Sequence, residues 1–175
     1  MTRTAKPLDL PQAELCKLIS LLDAGKNREV LKLIKPLTKK FAHSPLLHLI
    51  LGSANQAIAK LDSAIENYRN ALKLDSSLIP AYSNLGAALA DKGDLEAAMA
   101  CYERVAELDP YHADVHFNIG SLKLKMEDTD SAMASFNNAL AVQPNHFDAK
   151  NSMGFIYKTK KDYLSAKECF ERAIE

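Results

Sequence analysis

Little in this 175-residue chain is suited to doing chemistry. Its three cysteines, Cys16, Cys101 and Cys169, are far apart and odd in number. No CxxC spacing occurs, so neither a zinc site nor a disulfide framework is supported. Scattered thiols fit a reducing compartment. The glycines are spread out and never bunch, which excludes a phosphate-cradling loop. Charge of one sign is not in excess either: 22 basic residues balance 22 acidic ones. A dedicated nucleic-acid binder needs a basic stripe to displace counterions, so that class is not expected. No apolar run approaches the roughly 18 residues of a membrane span. The segment from Met1 to Pro7 leads into no apolar stretch of a secretory signal. A cytoplasmic protein with no cofactor, no metal, no nucleic-acid partner and no membrane contact is therefore expected.

What is present is ordinary in amount and unusual in order. The chain is 47% hydrophobic and 25% charged, enough apolar material for a continuous core. Its zero net charge hides an asymmetry. Residues 1–60 hold ten Lys/Arg and four Asp/Glu, a net of +6; residues 61–175 hold twelve and eighteen, a net of −6. Such a split can orient a partner or promote head-to-tail contact, or it can be a drifting solvated surface.

The order is a period of 34. Leu51-Gly52, Leu85-Gly86, Ile119-Gly120 and Met153-Gly154 mark the beat. Twelve residues after each Gly stands an alanine, Ala64, Ala98, Ala132 and Ala166. Four further on stands an aromatic, Tyr68, Tyr102, Phe136 and Phe170. A fixed period in this range signals a repeat array, whose units contact only their neighbours. The period divides the chain into a flexible leader at 1–10, a degenerate unit at 11–44, units at 45–78, 79–112 and 113–146, and a partial unit at 147–175.

Within 79–112, Tyr82, Leu85 and Leu89 fall at i, i+3 and i+7, the apolar stripe of one helix. Leu95, Ala98, Met99, Tyr102 and Val105 make the stripe of a second. Gly86 and Ala98 are small where bulk would hold helix axes apart. Gly93 suits the left-handed conformation that ends a helix, and Asp94 is a good N-cap for the next. Pro110 discourages the second helix from running on. Tyr82-x2-Leu85-Gly86-x2-Leu89, then Ala98-x3-Tyr102, then Pro110, closely resembles the tetratricopeptide repeat. The resemblance covers 45–175 well and 11–44 weakly. It implies an all-α fold, a right-handed superhelical solenoid of antiparallel helix hairpins.

Several positions depart from the pattern. Glu127 stands where Gly93 does one period earlier, so its turn is expected to be strained by roughly 1–2 kcal/mol. Leu18 occupies the glycine slot of the first unit, with Val30 and Ile34 at the alanine and aromatic slots. Pro36, inside the second helix of that unit, predicts a kink or an early break. At the other end, Phe170, Ala173 and Ile174 supply no polar outer face, which terminal repeats normally carry. The chain is therefore expected to begin a longer protein or to dock its C-terminal helix, for instance on another copy of itself.

Candidate chemistry is thin. His112 and His116 share an i, i+4 spacing, yet no acidic or cysteine partner lies at ligand distance along the chain. His48 repeats the slot of His116, which points to packing. Cys101 and Cys169 also share a slot, just before the aromatic, where a small soft residue suits helix packing.

Binding is the more promising function. In the resembled family the first helix of each pair lines a concave groove. Counting from each Gly places Asn84 and Asn118, with Ile50 and Ser152, two positions before it. Ser83, Phe117 and Asn151, with Leu49, fall three before. Ser121 and Phe155, with Ser53 and Ala87, fall one after; Lys158, with Gln56, Ala90 and Leu124, falls four after. An amide carries donor and acceptor together, so Asn84 and Asn118 could hold a peptide by its backbone, similar to the asparagine ladder of the O-GlcNAc transferase repeat domain. An Asn in this slot can equally bond neighbouring backbone and steady the stacking. Phe117 and Phe155 would supply apolar contact. The basic groove slots of a carboxylate clamp are missing, since Ser83, Ala87 and Phe117 stand there.

The expected function is a non-catalytic scaffold that binds a peptide segment of a protein partner. Two rivals stand beside it. One is the substrate-recruiting arm of a larger glycosyltransferase- or sulfotransferase-like enzyme. The other is a self-assembling oligomer.

Overall fold

A computed structural model describes residues 10–174. Ten helices follow one another: α1 (Gln12–Asp23), α2 (Asn27–Lys40), α3 (Pro45–Ala57), α4 (Leu61–Leu74), α5 (Ile79–Lys92), α6 (Leu95–Leu108), α7 (Ala113–Lys125), α8 (Thr129–Val142), α9 (Phe147–Thr159) and α10 (Tyr163–Ile174). No strand occurs among the described residues. The leader expected over 1–10 lies outside them except for Leu10, which is half-buried against the first core.

Alternate connections obey one rule. Residues 25, 59, 93, 127 and 161, spaced 34 apart, all have positive φ. Two are glycines; the others are Ala59, Glu127 and Lys161, at φ 60°, 63° and 61°. The N–H one residue further on bonds the carbonyl five back, as in Lys26 to Leu21, Lys60 to Asn55, Asp128 to Lys123 and Asp162 to Tyr157. The left-handed residue itself donates to the carbonyl three back, as Glu127 does to Leu124 at 3.0 Å. This is the Schellman ending, which satisfies two carbonyls the helix leaves open. The strain expected at Glu127 is present, and Ala59 and Lys161 share it. Asp94 and Asp128 then cap α6 and α8, accepting from the N–H of Ala97 at 3.2 Å and of Ser131 at 3.1 Å.

Pro36 does not break α2, which runs four residues beyond it to Lys40. The apolar face holds the helix together. Val30 and Ile34 are buried on it, and Leu33 and Leu37 pack beside them.

The chain forms two compact units, one ending at Gly93 and one beginning at Asp94. In the first, Leu18, Val30, Ile34, Phe41, Leu47, Ile50 and Ala54 make a continuous core. Leu18 and Val30 are fully buried. Size has been exchanged here, with a large residue in the glycine slot facing a smaller one in the aromatic slot. In the second unit Ala132, Phe136, Ala139, Ala149, Met153 and Ile156 form the core.

The glycine beat has a direct explanation in both units. A Cβ on Gly120 would lie 2.6 Å from the Phe136 ring, and one on Gly154 would lie 2.6 Å from the Phe170 ring. Gly52 lies under Tyr68 in the same way. In these three hairpins the aromatic lies against the backbone at the glycine, and only hydrogen leaves room for it.

Candidate peptide-binding surface

In the first unit, Tyr68 is buried and carries a hydroxyl that must find partners. It donates to Gln56 Oε1 at 2.8 Å and lies 3.4 Å from Ser53 Oγ. Burial pushes this hydroxyl above the usual tyrosine value, and the hydrogen bond with Ser53 partly offsets it. Asn84, on α5, donates to the same Ser53 Oγ at 3.4 Å. Three groove slots, Ser53, Gln56 and Asn84, are therefore tied into a polar chain that ends on the core tyrosine. Asn84 keeps one N–H and its carbonyl for other partners. Ser83 is half-buried beside it.

In the second unit, the groove slots divide. Phe117, expected to offer an apolar contact, packs its ring on Phe136 at 5.7 Å and on His146 at 5.2 Å between centroids. It therefore supports the wall. Ser121 donates to the Phe117 carbonyl at 3.0 Å. Asn118 and Asn151 are half-buried, and Lys158 is exposed. Phe155 behaves differently. It is 55% exposed, and its ring is held edge-on by Phe170 at 5.3 Å. With Leu124, Thr129, Ser152, Ile156, Thr159 and Lys160 it lines an open cleft of about 470 Å³. Lys160 closes one side, pairing with Asp130 at 2.9 Å.

Counting from the glycines found Leu124, Ser152 and Phe155 of this cleft. It missed Ile156, Thr159, Lys160 and Thr129. The first two lie on α9 outside the four counted slots, Lys160 follows its last residue, and Thr129 begins α8. A count of four slots on first helices sees neither the rest of the same helix nor a wall built by the next.

Three histidines hold local structure. His116 Nε2 lies 3.0 Å from the Pro110 carbonyl, and His48 Nε2 lies 3.3 Å from the Ala42 carbonyl, so one slot twice ties down the loop six residues earlier. His146, which the period did not single out, is buried. It caps α9 by accepting from the Ala149 N–H at 3.2 Å and meets Asp114 at 3.1 Å. Among the described residues no group of three or more His, Cys, Asp or Glu is placed to hold a metal. None of the helices described is long and apolar enough to cross a membrane.

Repeated helix pairs, a glycine under an aromatic in three of them and an apolar cleft define a helical-repeat scaffold. Family models agree. The TPR repeat model matches residues 48–93, and tetratricopeptide repeat models match 79–112, 113–146 and 147–175. The chain belongs to the tetratricopeptide repeat family, whose members are typically protein-interaction scaffolds without catalysis of their own.

Solved structures share the fold. A crystal structure of MamA is 22% identical, with a TM-score of 0.79 over 95% of this chain and 95% of that one. PilF of Pseudomonas aeruginosa is 21% identical, with a TM-score of 0.85 over 93% of this chain and 74% of that one. MamA of Desulfovibrio magneticus RS-1 is 20% identical, with a TM-score of 0.81 over 97% and 96%. No curated protein matches the chain.

Proposed function

We propose that this protein captures a short segment of a protein partner, seating an apolar side chain of that segment in the cleft around Phe155. One observation carries the proposal. A large aromatic is more than half exposed, yet it is fixed in place by Phe170 at the rim of an apolar cleft. Preordered aromatics beside a pocket are the usual anchors of binding energy, because little freedom is lost on contact. Asn118 and Asn151, on α7 and α9 of the same unit, supply amides for the backbone of the bound segment.

A peptide selected on the wild-type protein from a random display library tests this. Phe155→Ala should weaken it at least about tenfold, and Asn118→Ala by a smaller factor, with thermal unfolding close to wild type. Full affinity in the Phe155 variant would exclude the cleft as the seat of binding.

A further inference from the structure

The outer face of α2 is basic along its whole length. Arg28, Lys32, Lys35 and Lys39 fall at i, i+4, i+7 and i+11, within one narrow arc of the helix. All four are exposed. The opposite arc holds the buried Val30 and Ile34. Among the described residues, no carboxylate of the chain pairs with any of these four cations. Four like charges over about 16 Å repel one another.

The 34-residue ruler finds the complement. Two periods on, the slots of Arg28, Lys35 and Lys39 are filled by Glu96, Glu103 and Glu107 on the outer face of α6, with Ala100 at the slot of Lys32. All three glutamates are exposed. Glu107 shares its charge with Arg104 at 2.7 Å; Glu96 and Glu103 have no cation within the chain among the described residues. The other helices of this set do not match. In α4 the slots read Asp62, Glu66, Arg69 and Lys73, which is mixed. In α8 they read Asp130, Ala134, Asn137 and Ala141. In α10 the first is Leu164, and Glu168 and Glu171 already meet Arg172 and Lys167 on the same helix.

From this register we propose that α2 of one molecule pairs side by side and parallel with α6 of a second copy, setting Arg28 opposite Glu96, Lys35 opposite Glu103 and Lys39 opposite Glu107. The parallel sense follows from the spacing. The intervals on both helices are seven and then four residues, so charges meet throughout only when the helices run the same way. The contact is heterologous: each copy offers a basic α2 and an acidic α6, so association continues from molecule to molecule unless it closes in a ring. This differs from the groove reading in surface and in partner.

Sedimentation of the full chain over a range of concentrations tests it. Self-association should be strong at about 0.01 M salt, where the screening length is about 30 Å, and should weaken at least about tenfold by about 1 M, where it is about 3 Å. The double variant Arg28→Glu/Lys35→Glu should be monomeric at low salt, and so should Glu96→Lys/Glu103→Lys. Joining all four changes in one chain should restore association, because the charges again complement in the same register. All four positions are exposed, and circular dichroism verifies that each variant is folded. A wild-type chain that stays monomeric at low salt overturns the proposal, as does a four-fold variant that fails to associate. So does a basic-face variant that loses binding to duplex DNA or to phosphatidylserine vesicles while wild-type self-association does not depend on that face.

Discussion

At the residue scale, one backbone angle recurs more faithfully than any side chain. Positions 25, 59, 93, 127 and 161 all take the left-handed conformation, although only Gly25 and Gly93 are free of a Cβ. The turn hydrogen bonds hold Ala59, Glu127 and Lys161 there against a cost of about 1 kcal/mol each. Replacing Glu127 with Gly should therefore raise stability by about 1 kcal/mol, read as a higher urea midpoint at unchanged slope. The Glu127 side chain is exposed, so no packing is lost in the exchange. A fall in stability would mean that the lost side chain matters more than the relieved backbone.

At the scale of the element, helix ends and interruptions can be weighed separately. Asp162, just before α10, accepts from the Ser165 hydroxyl at 2.7 Å and from its N–H at 3.1 Å. These bonds, the hydroxyl first, hold its carboxyl below the ordinary value of 3.8. A depressed native value means the cap stabilises fully above the unfolded value and is lost as pH falls through the native one. Stability of the wild type relative to Asp162→Asn should hence shrink as pH drops below about 4. Denaturant midpoints of the two proteins between neutral and acid pH measure that convergence. In α2, Pro36 removes one N–H and crowds the carbonyl four residues before it. It is exposed, so Pro36→Ala should stabilise by about 1–3 kcal/mol, checked by thermal unfolding.

The molecule consists of two compact units, the first holding the core around Leu18 and the second the core around Phe136. In repeat arrays stability is nearly a sum of unit and neighbour terms, so damage stays local. Leu18 is fully buried at a slot where later units have glycine. Leu18→Ala should cost about 2–5 kcal/mol. Hydrogen exchange should quicken in α1 to α3 and leave α8 to α10 protected. Uniform loss of protection along the chain would instead show one cooperative block.

The sequence alone determined the repeat, its period and its family, because these rest on local spacing. Where an aromatic stands in its slot, the residue sixteen places earlier must be glycine whatever surrounds the hairpin, and that constraint is written in residue types. The cap at Asp94 was legible for the same reason. Tertiary structure decided the rest. Counting could place Phe117 and Phe155 on first helices, but not tell that one ring would be held against Phe136 and His146 while the other stayed exposed. Counting likewise left α2 in doubt beyond Pro36, because a proline weighs against a helix locally, whereas burial of Val30, Ile34 and Phe41 acts across the fold. Exposure depends on which neighbour arrives, and the neighbour comes from a distant part of the chain.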